Sequence, residues 1–109
     1  MPGHRAELER LQAEASLEIE TLEQDLRALF EASRDDNADD EHDPEGATIA
    51  YERAQLTAVL TAARHQLAAV VEALSCLDAG TYGRCERCGS SIPAERLAVR
   101  PFATTCVTC

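Results

Sequence analysis

The chain contains no lysine and no tryptophan, and its aromatic residues are two tyrosines and two phenylalanines among 109 residues. Aromatic side chains supply much of the buried area of large cores. Their scarcity excludes a big globular core and leaves one small domain or one elongated module. No apolar run approaches the roughly 20 residues that a membrane-spanning helix needs. The opening Met1-Pro-Gly-His-Arg-Ala-Glu-Leu-Glu holds no apolar stretch of the secretory kind, so a cytoplasmic protein is expected. Positive charge is also short, with 10 arginines against 20 acids and a formal net charge of −10. A surface that acidic repels DNA and anionic membranes, so neither is an expected partner.

The charge is unevenly spread. Residues 1–34 carry −4, residues 35–45 carry −7, residues 46–80 carry −1 and residues 81–109 carry +2. This divides the chain into two arms, an acidic joint and a slightly basic end.

The cysteines are concentrated in that basic end. Four of the five form two pairs, Cys85-Glu-Arg-Cys88 and Cys106-Val-Thr-Cys109, with seventeen residues between them. This spacing predicts one zinc ion held by Cys85, Cys88, Cys106 and Cys109. Each CxxC wraps a tight knuckle that aims two sulfurs at one point, and two knuckles complete a tetrahedron. Gly89 follows the second sulfur, where the chain turns sharply. Four thiolates fill the coordination shell and leave no position for a catalytic water, so the zinc is expected to be structural. A dithiol redox site would need a single CxxC, and disulfides would suit a secreted chain. Cys76 stands outside both pairs and reads as a small buried apolar residue.

Residues 4–34 read as one long helix. Leu8, Leu11, Ala15, Ile19, Leu22, Leu26, Leu29 and Ser33 recur at spacings of three and four, a narrow apolar stripe that needs a partner. Residues 44–79 repeat the pattern with Ile49, Leu56, Leu60, Ala63, Leu67, Val70, Leu74 and Leu77, interrupted by Arg53. Asp43-Pro44 is a helix start and Gly80 a helix stop. Two seams joined by a short loop predict an all-α fold, a long antiparallel coiled-coil hairpin over residues 1–80 with a small four-cysteine zinc finger over 81–109. Each arm would be about 45 Å long, with the acidic loop at one tip and the zinc at the other end. A parallel dimer of open helices is the rival, disfavoured by the central turn. The finger has few core candidates: Ile92, Pro93, Leu97, Val99, Pro101 and Phe102. A piece this small needs its metal to fold.

The acidic loop, residues 35–45, contains seven acids in eleven positions. Asp35-x-Asn37-x-Asp39 begins like a calcium loop, but Asp40 stands where glycine is required and Gly46 where glutamate is, so that match fails. A solvated connector is one reading. The other is a tip that offers Asp39, Asp40, Glu41, Asp43 and Glu45 to a partner's metal ion or basic groups. Arg84, Arg87, Arg96 and Arg100 around the knuckle are either solvated, or balance the zinc-thiolate charge, or meet a phosphate ligand.

Gly80-Thr-Tyr-Gly-Arg-Cys-Glu-Arg-Cys-Gly89, then Ile92, Arg96-Leu97, Arg100-Pro101 and Cys106-x-x-Cys109, resemble the zinc-finger signature of the DksA/TraR family. The resemblance implies a bacterial transcription regulator, not an enzyme, that binds RNA polymerase rather than DNA, inserting its coiled coil into the secondary channel so that the tip acids approach the catalytic magnesium. It also implies a monomer that often acts with ppGpp, with Arg100, and Arg96 beside it, as candidate contacts to ppGpp or polymerase. The family tip commonly reads Asp-Pro-x-Asp-x-Ala. Here Asp43-Pro44-Glu45-Gly46-Ala47 is one residue shorter, and Asp43 is the clean match. The competing expectation is a zinc-stapled coiled-coil adaptor for some other protein.

Overall fold

The computed structural model describes residues 2–35 and 44–108, with side chains over 3–32 and 46–108. Among the described residues three helices follow in order: α1 (Pro2–Asp35), α2 (Pro44–Ala79) and the short α3 (Ala94–Val99). There is no strand among the described residues, only an isolated antiparallel bridge between Arg84 and Ser91. The acids Asp39, Asp40, Glu41 and Asp43, the side chain of Glu45, and Cys109 lie outside the described residues.

Within each of two compact units, α1 and α2 run antiparallel beside one another. Two compact units compose the chain, one of Met1–Ala15 with His65–Cys109 and one of Ser16–Arg64. In the first, Arg5 near the start of α1 meets Asp78 near the end of α2 at 2.6 Å. Its core is Leu8, Val70 and Ala73, with Leu11, Leu74 and Leu77 packed against them. In the second, Glu23 of α1 meets Arg64 of α2 at 2.9 Å. Leu60 and Ala63 are buried there, and Ile19, Leu22, Leu26, Leu29, Ile49 and Leu56 are half-buried. In both units the inward residues recur at three and four, because an amphipathic helix hides one stripe. Both interhelical ion pairs are exposed and contribute little beyond fixing register.

α2 ends in a Schellman turn. Gly80 takes φ 77°, its N–H bonds the Leu77 carbonyl at 3.2 Å, and the Thr81 N–H bonds the Cys76 carbonyl at 2.8 Å. These bonds satisfy carbonyls the helix end would leave open, and glycine enters that left-handed conformation without steric cost. Cys76 is half-buried rather than enclosed.

The finger has its own small core of Cys85, Ile92, Leu97 and Cys106. Pro101 is buried and Phe102 half-buried. Val99, expected in this core, is 88% exposed. It lies two residues beyond the buried Leu97, about 200° round the helix, and so faces away. Tyr82 packs against both the finger core and the hairpin core, and Phe102 joins it on the hairpin side. An apolar joint therefore seats the finger on the base of the hairpin within one unit.

Candidate metal centre

The first knuckle is shaped by backbone hydrogen bonds. Gly83 turns with φ 85°, and the Ile92 N–H returns to its carbonyl at 2.7 Å. The Cys85 N–H bonds the Ser90 carbonyl at 2.8 Å, and the Gly89 N–H bonds the Cys85 carbonyl at 2.9 Å. Gly89 has φ 75°, the conformation that closes the turn after Cys88. The chain then runs through α3 and returns. The Glu86 N–H holds the Thr104 carbonyl at 2.9 Å, which sets Cys106 against the first knuckle.

The sulfurs of Cys85, Cys88 and Cys106 all lie within 4.8 Å of one another. Cys88 Sγ and Cys106 Sγ are 3.6 Å apart. Zn–S bonds near 2.3 Å put the sulfurs of a tetrahedron about 3.8 Å apart, whereas a disulfide would need about 2 Å. The separation is therefore that of co-ligands. Cys85 and Cys106 are buried and Cys88 is exposed. The Cys85 thiol sits below its ordinary pKa, first through the backbone N–H of Cys106, then that of Cys88, with the Arg87 N–H adding to them against the opposing effect of burial. Amide donors aimed at a sulfur stabilise its thiolate, the form that binds metal. This donor set fits a structural zinc ion, which ties the two knuckles together when bound.

The arginines around the knuckle divide by role. The half-buried Arg96 gives its Nε–H to the Thr105 carbonyl at 2.9 Å. Arg100 is exposed, with its guanidinium carbon 5.2 Å from the centre of the Phe102 ring. Arg84 and Arg87 are exposed. Tyr82 carries more than its place in the motif announces. Its hydroxyl donates to the buried Pro101 carbonyl at 2.7 Å and lies 3.3 Å from His4 Nδ1. A tyrosine framed by glycines at the start of a finger is a weak signal of such a joint. His4, far away in sequence, gave none.

Fold and site together define a pair of long helices that carries a small finger with three clustered cysteine sulfurs. Residues 80–109 match the family described as the prokaryotic dksA/traR C4-type zinc finger. The chain shares its fold with transcription factor DksA2 from Pseudomonas aeruginosa, at a TM-score of 0.79 and 29% identity, over 98% of this chain and 77% of that one. It is 41% identical over 69 residues to the uncharacterized protein YteA of Bacillus subtilis (strain 168), a stretch that is 63% of this chain and 29% of that protein. It is 49% identical over 37 residues to an uncharacterized protein of Aquifex aeolicus (strain VF5), 34% of this chain and 26% of that protein. The chain thus spans less than a third of the length of either curated relative.

Proposed function

We propose that this protein is a cytoplasmic regulator of bacterial transcription that acts by binding RNA polymerase. The observation that carries the reading is the joint occurrence of a DksA/TraR-type finger over residues 80–109 and a DksA2-like hairpin fold along 98% of the chain. The hairpin enters the secondary channel. Acids of the segment 35–45, with Asp43 foremost and Asp39, Asp40, Glu41 and Glu45 around it, approach the catalytic magnesium, a hard cation that prefers carboxylate oxygen. The zinc, with Cys109 as fourth ligand to Cys85, Cys88 and Cys106, has an architectural role. Arg100, with Arg96 nearby, is the candidate contact to ppGpp or polymerase. The protein works as a monomer, binds no DNA and performs no catalysis of its own. Its net charge of −10 favours a basic-walled channel over nucleic acid.

The test is initiation by purified bacterial RNA polymerase, with and without ppGpp, alongside direct binding. The reading expects binding to polymerase and a changed yield of initiated transcripts. Neither binding nor an effect on initiation would sink it and leave the adaptor for another protein. A salt-sensitive shift of DNA alone would instead mark a DNA-binding protein.

A further inference from the structure

Arg100 is exposed, and among the described residues its guanidinium has no hydrogen-bond acceptor and no ion-pair partner. Arg5, Arg10 and Arg64 each meet a carboxylate, and Arg96 meets a carbonyl. The Arg100 guanidinium lies instead over the Phe102 ring, its carbon 5.2 Å from the ring centre. A guanidinium held over a ring is attracted through its face, so its fork of N–H donors stays available to an acceptor beyond the edge.

The ring has little freedom of its own. Phe102 is half-buried and packs against the cluster of Leu8, Val70 and Ala73 that α1 and α2 supply. Between the cation and its ring stands the buried Pro101, whose own ring fixes its φ. The Pro101 carbonyl belongs to the same rigid peptide as the Phe102 N–H, and it accepts the Tyr82 hydroxyl at 2.7 Å. The Arg100 N–H bonds the Arg96 carbonyl at 2.8 Å, and the Ala103 N–H bonds the Arg100 carbonyl at 3.0 Å. The turn that carries both partners is thus fastened at three points.

We propose, resting on the function given above with Arg100 as the contact to ppGpp, that Phe102 is a positioning residue that holds the Arg100 fork for the phosphates of this nucleotide. Tyr82 fixes the peptide on which the Phe102 ring is mounted. A free arginine loses much side-chain freedom when it grips an oxyanion. Arg100 loses less, because the ring already limits where its fork can go. Phosphate oxygens match the two parallel donors of that fork. Neither Phe102 nor Tyr82 touches the ligand, and Phe102 stands outside the residues that carry the family resemblance.

The experiment uses the full zinc-loaded chain, free and with purified RNA polymerase, and the variants Phe102→Leu, Phe102→Tyr and Tyr82→Phe. Leucine keeps apolar bulk against Leu8 and Val70 but removes the ring, and tyrosine restores the ring. In the free wild-type protein, ring current should displace the side-chain proton resonances of Arg100 upfield. They should return to ordinary arginine positions in Phe102→Leu and stay displaced in Phe102→Tyr. The ppGpp concentration that gives half of the full effect on initiation should rise roughly two- to fivefold in Phe102→Leu, the range of an exposed cation–π contact. Phe102→Tyr should restore it, and Tyr82→Phe should raise it. Binding of Phe102→Leu to polymerase without ppGpp should equal wild type. Undisplaced Arg100 resonances in the wild type would overturn the proposal, and so would an unchanged ppGpp requirement in Phe102→Leu. An equal loss of polymerase binding without ppGpp would also overturn it, because that marks a structural residue or a contact to polymerase itself. If the wild-type chain acts on initiation without regard to ppGpp, or not at all, the ligand reading of Arg100 fails and takes the proposal with it. Displaced Arg100 resonances would then distinguish that failure from the absence of the stacked pair.

Discussion

The Tyr82 ring lies in both apolar clusters of its unit, and its hydroxyl has two polar neighbours. A carbonyl only accepts, so the hydroxyl proton goes to Pro101 and the oxygen is left to accept from His4 Nδ1–H. Burial raises the Tyr82 pKa, which keeps that proton in place through neutral pH. Tyr82→Phe should therefore cost about 1–3 kcal/mol, since the Pro101 carbonyl would stay buried without its donor. Denaturant unfolding of the zinc-loaded protein measures this, and an unchanged midpoint would contradict the joint described here. Gly80 makes a second test of single positions. Its φ of 77° is costly for a residue with a Cβ, although nothing lies within 4 Å of the added atom. Gly80→Ala should destabilise by about 1 kcal/mol through the backbone alone.

The helices and knuckles differ in what holds them. In α1, Leu8 is fully buried and Leu17 is 65% exposed. Leu8→Ala should cost about 2–5 kcal/mol, while Leu17→Ala should stay within about 0.5 kcal/mol. Equal losses in thermal or chemical unfolding would mean that the helices pack on other faces. These stripes were legible in the sequence because a helix buries a fixed angular sector, so every third or fourth residue reports it. Arg53 was legible as the break in the second stripe; it is exposed and stacks over Phe30 at 5.4 Å. The finger was legible in its cysteines, whose spacing is fixed by coordination geometry, but not in its packing. Val99 was misplaced because a six-residue helix gives too few turns to define a face. The contacts of Arg96 with Thr105, and of Tyr82 with His4 and Pro101, depend on how the chain returns on itself, which no local period encodes. Zinc removal separates the two kinds of element. A chelator should abolish the ordered environment of Tyr82 in near-ultraviolet circular dichroism and leave most far-ultraviolet helix signal, which comes from α1 and α2. Acid should act in the same direction, because protons compete with zinc for thiolates. The depressed pKa of Cys85 means that its contribution is complete above the ordinary thiol value of 9.0 and is lost as pH falls toward its own lower value. Zinc retention that improved on acidification would contradict the thiolate centre.

Taken over its full length, the chain combines a net charge of −10 with a segment, 35–45, that holds seven of its acids. No described helix is long and apolar enough to cross a membrane. Under the proposed function these charges have two separable effects. The general acidity draws the protein to a basic channel and should be weakened by salt, whereas Asp43 acts at one place. Asp43→Ala should leave polymerase binding intact and weaken the effect on initiation; an unchanged effect would shift the activity to its neighbours Asp39, Asp40, Glu41 or Glu45. The most direct measurement replaces the catalytic magnesium of RNA polymerase with iron(II), which releases hydroxyl radicals that cut polypeptide close to the metal. With this protein bound, cleavage is expected within residues 35–45. An uncut chain, or cuts confined to the zinc finger at 80–109, would contradict insertion of the acidic segment at the catalytic centre.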